Sequence, residues 1–123
     1  MAHAVIDALL GAVGAGDVGS HFPPGDERWK GADSMNLLER AVAILDRLGY
    51  RPSNLDVVVV TEAPKIGPLS RKMARRLAGI LEIPEGAVSV KGKTNEGMGW
   101  IGAREGLAVH AVVLVTEKGP ETP

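Results

Sequence analysis

A two-layer α/β domain with at least three strands is predicted by the order of elements along the chain: helix, helix, strand, helix, strand, strand. Three observations carry this reading. Residues 33–48 and 68–81 repeat apolar side chains at helical spacing. Residues 55–61, LDVVVVT, form a β-branched run bounded by Asn54 and Pro64. Residues 87–91 and 107–115 supply two further strands on either side of a glycine-rich loop.

The first helix, residues 2–13, sets Val5, Ala8, Leu9 and Ala12 at helical spacing and ends in the glycines of GAVGAGDVG. It opens the chain with no preceding turn, which leads us to expect a segment upstream that the chain lacks. Residues 21–34, HFPPGDERWKGADS, combine proline, glycine and charge and read as a long loop, a kind of segment that often carries function. Asp33 or Ser34 caps a second helix whose Leu37, Leu38, Ala41, Ile44, Leu45 and Leu48 face a core, with Gly49 as terminator. The run at 55–61 lacks alternation, which argues for a strand covered on both faces. A turn, EAPKIGP, leads into a third helix from Pro68 to about Leu81, with Leu69, Met73, Leu77 and Leu81 inward and Arg71, Lys72, Arg75 and Arg76 opposite. The last strand, LAVHAVVLV, is followed by a frayed tail from about residue 117 to residue 123. Residues 1–123 read as one domain without internal repeats.

Composition narrows the function classes. Basic and acidic residues number 14 and 15, a formal charge of -1, so no global field gathers nucleic acid or an anionic membrane, and any phosphate must be held locally. The absence of cysteine removes disulfides, thiolate metal sites and cysteine nucleophiles, and agrees with a cytoplasmic protein. No apolar stretch is long enough to span a bilayer and the start lacks a basic signal region, so no membrane partner is expected. Aromatic residues make up only 3% of the chain, a thin supply that predicts aliphatic packing and subunit contacts.

Several features could carry chemistry. Gly14, Gly16 and Gly19 spell a formal GxGxxG, but they follow a helix instead of a strand, which is the wrong context for dinucleotide binding. His3 and Asp7 stand at i and i+4, on one helical face, either as metal ligands or as a terminal histidine beside a solvated carboxylate. His21 and His110 have no paired spacing, and His110 reads as a packed or cross-strand residue. Asp17 either folds back on the backbone as a turn former or accepts hydrogen bonds from a ligand hydroxyl. The loop of Lys93, Thr94, Asn95, Glu96 and Gly97 concentrates a cation, a hydroxyl, an amide and a carboxylate between two strands. It is either an ordinary surface loop or a phosphate site, in which exposed backbone amides and Thr94 meet phosphate oxygens while Glu96 offers an oxygen to Mg²⁺. Ala63, Pro64, Lys65 and Ile66 read either as an extended, rigid ligand turn or as a plain strand-to-helix connection. The basic face at 71–76 lacks interleaved aromatics, so a solvated face is the better reading than an RNA surface.

Five stretches, AHAVIDALLGAVGAGDVGSHFP, KGADS, APK, KTNEGMGW and GxxEG, run from residue 2 to about 115. Together they resemble the 2-C-methyl-D-erythritol 2,4-cyclodiphosphate synthase family. The resemblance implies a mixed sheet backed by helices on one face and a homotrimer with active sites between subunits. It also implies a reaction: the 2-phosphate of a cytidine-diphosphate-linked methylerythritol attacks the nearer diphosphate phosphorus, and cytidine monophosphate leaves. On this resemblance His3 is a zinc ligand, Asp7 the acidic residue one turn on, and Asp17 the contact to the erythritol hydroxyls, with Gly19 and Phe22 also at the substrate. Ala63, Pro64, Lys65 and Ile66 become the turn of the neighbouring subunit around the cytosine. Thr94, between Lys93 and Asn95, contacts the diphosphate, Glu96 holds Mg²⁺ or Mn²⁺, and Trp100 replaces the usual phenylalanine near the trimer axis.

The departures have consequences of their own. The family's Asp-x-His zinc motif, its His-Ser-Asp-Gly-Asp loop and its N-terminal strands have no counterpart in this sequence, which leaves one of three zinc ligands. Weak zinc binding and poor turnover by the polypeptide as given are therefore expected. Pro24 stands where aspartate is common, and Ala103-Arg104 where Arg-Gly is commoner. The competing expectation is a non-catalytic trimeric module that keeps the fold and binds nucleotide or phosphate.

Overall fold

The computed structural model describes residues 1–26, 28 and 33–119. Its elements follow the chain as α1 (Ala2–Ala12), α2 (Val18–His21), α3 (Ser34–Arg47), β1 (Tyr50–Val60), α4 (Ser70–Leu81), β2 (Val88–Lys93), α5 (Gly99–Gly102) and β3 (Ala108–Glu117). The expected order of the larger elements holds, and two short helices, α2 and α5, join them. Residues 30–32 of the KGADS stretch and residues 120–123 of the tail lie outside the described residues.

Local chemistry explains the boundaries. Asp33 caps α3 by accepting a hydrogen bond from the Met35 amide at 2.9 Å, and Gly49 takes the positive φ of 89° that lets the chain leave the helix. Leu48, expected inward, lies at the C-cap and is 52% exposed. A 3₁₀ turn over Gly67–Leu69 with Pro68 in its first turn leads into α4, so Leu69 is left exposed ahead of the helix. β1 starts five residues earlier than the β-branched run. Pro52 and Asn54 look like strand breakers, but an irregularity in the pairing between them absorbs the proline without losing the strand.

The sheet has the order β2-β1-β3, with β1 parallel to β2 and antiparallel to β3, which makes it mixed. Helices α1, α3 and α4 pack over one face: α1 against α3 and β3, α3 against β1, and α4 against β2. The core between the layers is aliphatic, with Leu9, Leu10, Leu38, Leu45, Leu55, Val57 and Leu77 among its buried members. In α1 the buried stripe is Val5, Ile6, Leu9 and Leu10, whereas Ala12 is exposed. Beyond Ala2, which is also buried, the larger side chains turn inward because they bury more apolar area.

The expectation that β1 is covered on both faces is not met within the chain. Leu55, Val57 and Val59 are buried and point at the helices, while Asp56 is exposed and Val58 and Val60 are half-buried. On β3 the same outer face carries His110, exposed opposite Val58, together with Val112 at 70% and Leu114 at 53% exposure. Apolar residues occupy both faces of these strands, but helices cover only one.

Leu45 is fully buried at the centre of the aliphatic layer. Leu45→Ala is expected to lower the stability of the chain by about 2–5 kcal/mol, measured by urea unfolding with an unchanged dependence on denaturant.

Candidate active site

Parallel pairing sets the geometry of the first cluster, because the loops that follow two adjacent parallel strands emerge at the same sheet edge. Val60 of β1 pairs with Lys93 of β2, and the Thr61 amide adds a last bond to the Lys93 carbonyl at 2.9 Å. From there the chain turns at 62–66 on one side and forms the loop 94–98 on the other. The Thr61 hydroxyl donates to the Ala63 carbonyl at 2.6 Å, so the turn is compact where the sequence suggested an extended one. Ile66 is buried and sits on Gly92, where an added Cβ would come within 2.6 Å of the Ile66 Cβ. Ala63, Pro64 and Lys65 stay exposed at the tip.

The loop itself is wired from within. The Glu62 carboxylate accepts hydrogen bonds through Oε1 from the Asn95 amide at 2.8 Å and the Gly97 amide at 3.4 Å. The Asn95 side chain donates to the Met98 carbonyl at 2.7 Å, and the Met98 amide returns to the Asn95 carbonyl at 2.9 Å. The Glu96 amide leans toward the Thr94 hydroxyl oxygen at 3.4 Å. Glu96 has φ of 56° and Gly97 of 74°, and the left-handed conformation costs a residue with a Cβ roughly 1–2 kcal/mol. Gly102 of α5 lies with its backbone directly against Gly97 and leaves no room for a Cβ. These amides are therefore engaged by the protein, which corrects the expectation that they stand open to phosphate. The exposed Lys93, Thr94 and Glu96 side chains remain on the solvent side. Trp100, on α5, is 53% exposed and lies over Gly106.

A second cluster lies at α1 and α2. His3 is exposed, with Nε2 3.4 Å from the Ser34 hydroxyl oxygen. Asp7 accepts a hydrogen bond from the Val18 amide at 2.8 Å, tying α1 to the first residue of α2. Asp17 caps α2: its carboxylate accepts from the Ser20 amide at 2.9 Å while the Ser20 hydroxyl meets the Asp17 amide at 3.1 Å. The turn-forming role read for Asp17 is thus realised, whatever else it contacts. Gly19 is exposed on α2, and Phe22 is buried in the core with its ring 7% exposed as a residue. His21 Nε2 hydrogen-bonds the Ala15 carbonyl at 2.6 Å. Gly14, Gly16 and Gly19 follow α1, so the dinucleotide motif lacks its strand.

Among the described residues no three histidine or carboxylate side chains converge on a point where a metal could sit. His3 and Glu96 each offer one donor, which is short of the three protein ligands a zinc site needs. The donors among the described residues of a single chain do not make a complete metal site. Elsewhere the charges pair locally: the Lys91 ammonium lies 2.8 Å from Asp56, Arg75 3.1 Å from Glu85, and Arg76 3.9 Å from Asp33. The Arg28 side chain, by hydrogen bonding, holds the Asp26 carboxyl below the usual range at an exposed position.

Comparison with known proteins decides the family. The model of the YgbB family matches residues 1–116. The chain belongs to the YgbB family. It is 51% identical over 113 residues to the 2-C-methyl-D-erythritol 2,4-cyclodiphosphate synthase of Symbiobacterium thermophilum, covering 92% of this chain and 72% of that one. Against the synthase of Pelotomaculum thermopropionicum the identity is 52% over 119 residues, covering 97% and 74%. Among solved structures, the bifunctional IspDF of Campylobacter jejuni superimposes with a TM-score of 0.90 at 36% identity, covering 94% of this chain and 31% of that chain. Plasmodium falciparum IspF, solved as a CDP complex, gives a TM-score of 0.84 at 30% identity, covering 96% and 70%.

Within this YgbB-family chain, Glu62 is the site residue that sequence reasoning passed over. In the sequence it stands only as the first letter of the turn EAPKIGP. The signal was its place one residue past a buried strand, but its meaning depends on knowing that β1 and β2 are parallel neighbours. The role of Asp7 as an anchor for α2 was equally hidden, since eleven residues separate it from Val18.

Asp7→Ala is expected to lose about 0.5–2 kcal/mol of stability, the scale of a lost helix cap, and Asp7→Asn to retain most of it because the amide oxygen still accepts. Thermal unfolding of the two variants beside the parent checks this.

Proposed function

We propose that this chain carries the 2-C-methyl-D-erythritol 2,4-cyclodiphosphate synthase function, cyclising a cytidine-diphosphate-linked methylerythritol 2-phosphate and releasing cytidine monophosphate. The observation that supports it best is the junction of the 62–66 turn with the 93–97 loop at one sheet edge. Family membership, relatives near 50% identity and a neighbour solved as a CDP complex point the same way.

The chemistry suits such a junction. An oxygen of the 2-phosphate forms a bond to the diphosphate phosphorus nearer the erythritol, the bond from that phosphorus to the cytidylate oxygen breaks, and cytidine monophosphate departs with the electron pair. No protein nucleophile is required, so the protein contributes position and charge. Ala63, Pro64, Lys65 and Ile66 take the cytosine in a site shared with a neighbouring subunit. Thr94 donates its hydroxyl to a diphosphate oxygen, with Lys93 and Asn95 beside it. His3, Asp7 and Asp17 serve the erythritol side of the substrate, His3 as the donor we assign to zinc. Glu96 is the carboxylate we assign to Mg²⁺ or Mn²⁺, a hard cation suited to oxygen ligands. Both metals need donors beyond these, and no step above is drawn through them.

A homotrimer with sites between subunits is part of the same proposal. The outer sheet face, with Val112 and Leu114 exposed beside Val58 and His110, is the apolar surface that subunit contact would cover.

Calorimetric titration with cytidine diphosphate in the presence of Mg²⁺ is expected to show binding, and Thr94→Ala to weaken it about tenfold. Poor release of cytidine monophosphate is expected of the polypeptide as given; binding that still brings no release after an Asp-x-His segment is added at the N-terminus would favour the module reading, and no binding at all would refute the site. Val112→Asp is expected to shift the sedimentation profile from trimer to monomer while the far-ultraviolet dichroism stays unchanged. A monomeric parent chain would remove the trimer from the proposal.

A further inference from the structure

We infer that Glu62 is a positioning residue for the phosphate loop, holding Thr94 and Glu96 in place through the backbone between and beside them. The inference rests on the cyclase reading of this site. Its starting point is a mismatch in backbone bonding. The ladder between β1 and β2 ends with the Thr61 amide on the Lys93 carbonyl, and the loop that follows bends away from the sheet. Its amides at 95 and 97 then have no strand partner, and unpaired amides near a protein surface must find a side chain, a ligand or water.

Glu62 answers both from one oxygen, at 2.8 Å to Asn95 and 3.4 Å to Gly97. The two amides flank Glu96, whose left-handed φ of 56° aims its side chain and sets the turn. Thr94 precedes the first of them. On the far side, the close approach of Gly102 to Gly97 stops the loop from moving toward α5. The loop is therefore clamped between a carboxylate and a glycine, and its chemistry-bearing side chains project from the clamp.

A carboxylate beside a diphosphate subsite has an electrostatic disadvantage, since like charges repel. That a carboxylate occupies the position, with Oε1 turned to two amides, indicates that its geometry matters more there than its charge. A positioning role and a charge or metal-ligand role lead to opposite expectations for glutamine. Glu62→Gln keeps the accepting oxygen and removes the charge, so it preserves positioning and abolishes an ionic role. Glu62→Ala removes both.

The test uses the full chain with cytidine diphosphate and Mg²⁺, read by calorimetry, alongside amide hydrogen exchange by NMR. Glu62→Ala is expected to bind the nucleotide about tenfold or more weakly and to lose protection at the Asn95 and Gly97 amides, while the sheet amide of Val57 exchanges as in the parent. Glu62→Gln is expected to stay within about threefold of the parent in affinity and to keep the protection. A glutamine variant as weak as the alanine one, with its loop protection intact, would overturn positioning in favour of an ionic role. An alanine variant that binds like the parent, or keeps its amide protection, would overturn the inference alone. A parent chain that binds no cytidine diphosphate overturns the reading of the site and this inference with it.

Discussion

The parallel pairing of β1 with β2 is the constraint on which the site depends. Each strand hands the chain to a loop at the same edge, so residues 33 positions apart in sequence come within hydrogen-bond distance without any long-range motif to announce it. The register is fixed by the buried side of β1: slipping by one residue would turn Leu55, Val57 and Val59 away from the helices. Core packing therefore sets the distance between the 62–66 turn and the 93–97 loop. Loop chemistry is built on a spacing that aliphatic burial has already determined.

The second cluster follows the same economy of parts. Asp7 and Asp17 are acidic residues that the family resemblance assigns to the substrate, yet both also hold backbone amides in this fold. A carboxylate has two oxygens and several lone pairs, so bonding one amide leaves acceptor capacity for a ligand. The hydrogen bonds orient each side chain before any ligand arrives, which would lower the ordering cost of the proposed binding. Structural and substrate roles in such residues are thus compatible, and the loss of either would be felt in both.

How much of this was legible in sequence depends on the range of the interaction. Helices α3 and α4 were readable because caps, periodicity and terminators lie within a few residues of each other, and the mixed sheet followed from the family resemblance. The start of β1 is hidden by Pro52, whose effect is absorbed by an irregularity within β1 itself, between Pro52 and Asn54. The short helices α2 and α5 were passed over because four residues show no period, although Asp17 and Ser20 spell the capping pair of the first. The 63–66 turn and the 93–97 loop are legible as candidate ligand segments from their own residues, their detailed roles come only from the resemblance, and the two are contiguous here. Glu62 escaped because its partners are amides, which no residue letter reports, and because they are reached across the sheet.

The outer sheet face is where the reading from composition and the fold meet. A run such as VVVV has no polar alternation, so both faces of the strand demand cover, yet the helices α1, α3 and α4 can lie on only one. A single chain of this composition, poor in aromatics, would leave Val112 and Leu114 in water together with part of Val58 and Val60. Alternation in burial without alternation in hydrophobicity leaves an apolar sheet face that the proposed subunit contact would cover. β1 carries the 62–66 turn at its end and its neighbour β2 the 93–97 loop, so in the proposed trimer cover of this face would also orient those loops toward a neighbouring chain. In that proposal subunit contact and site geometry would be two results of one unsatisfied sheet.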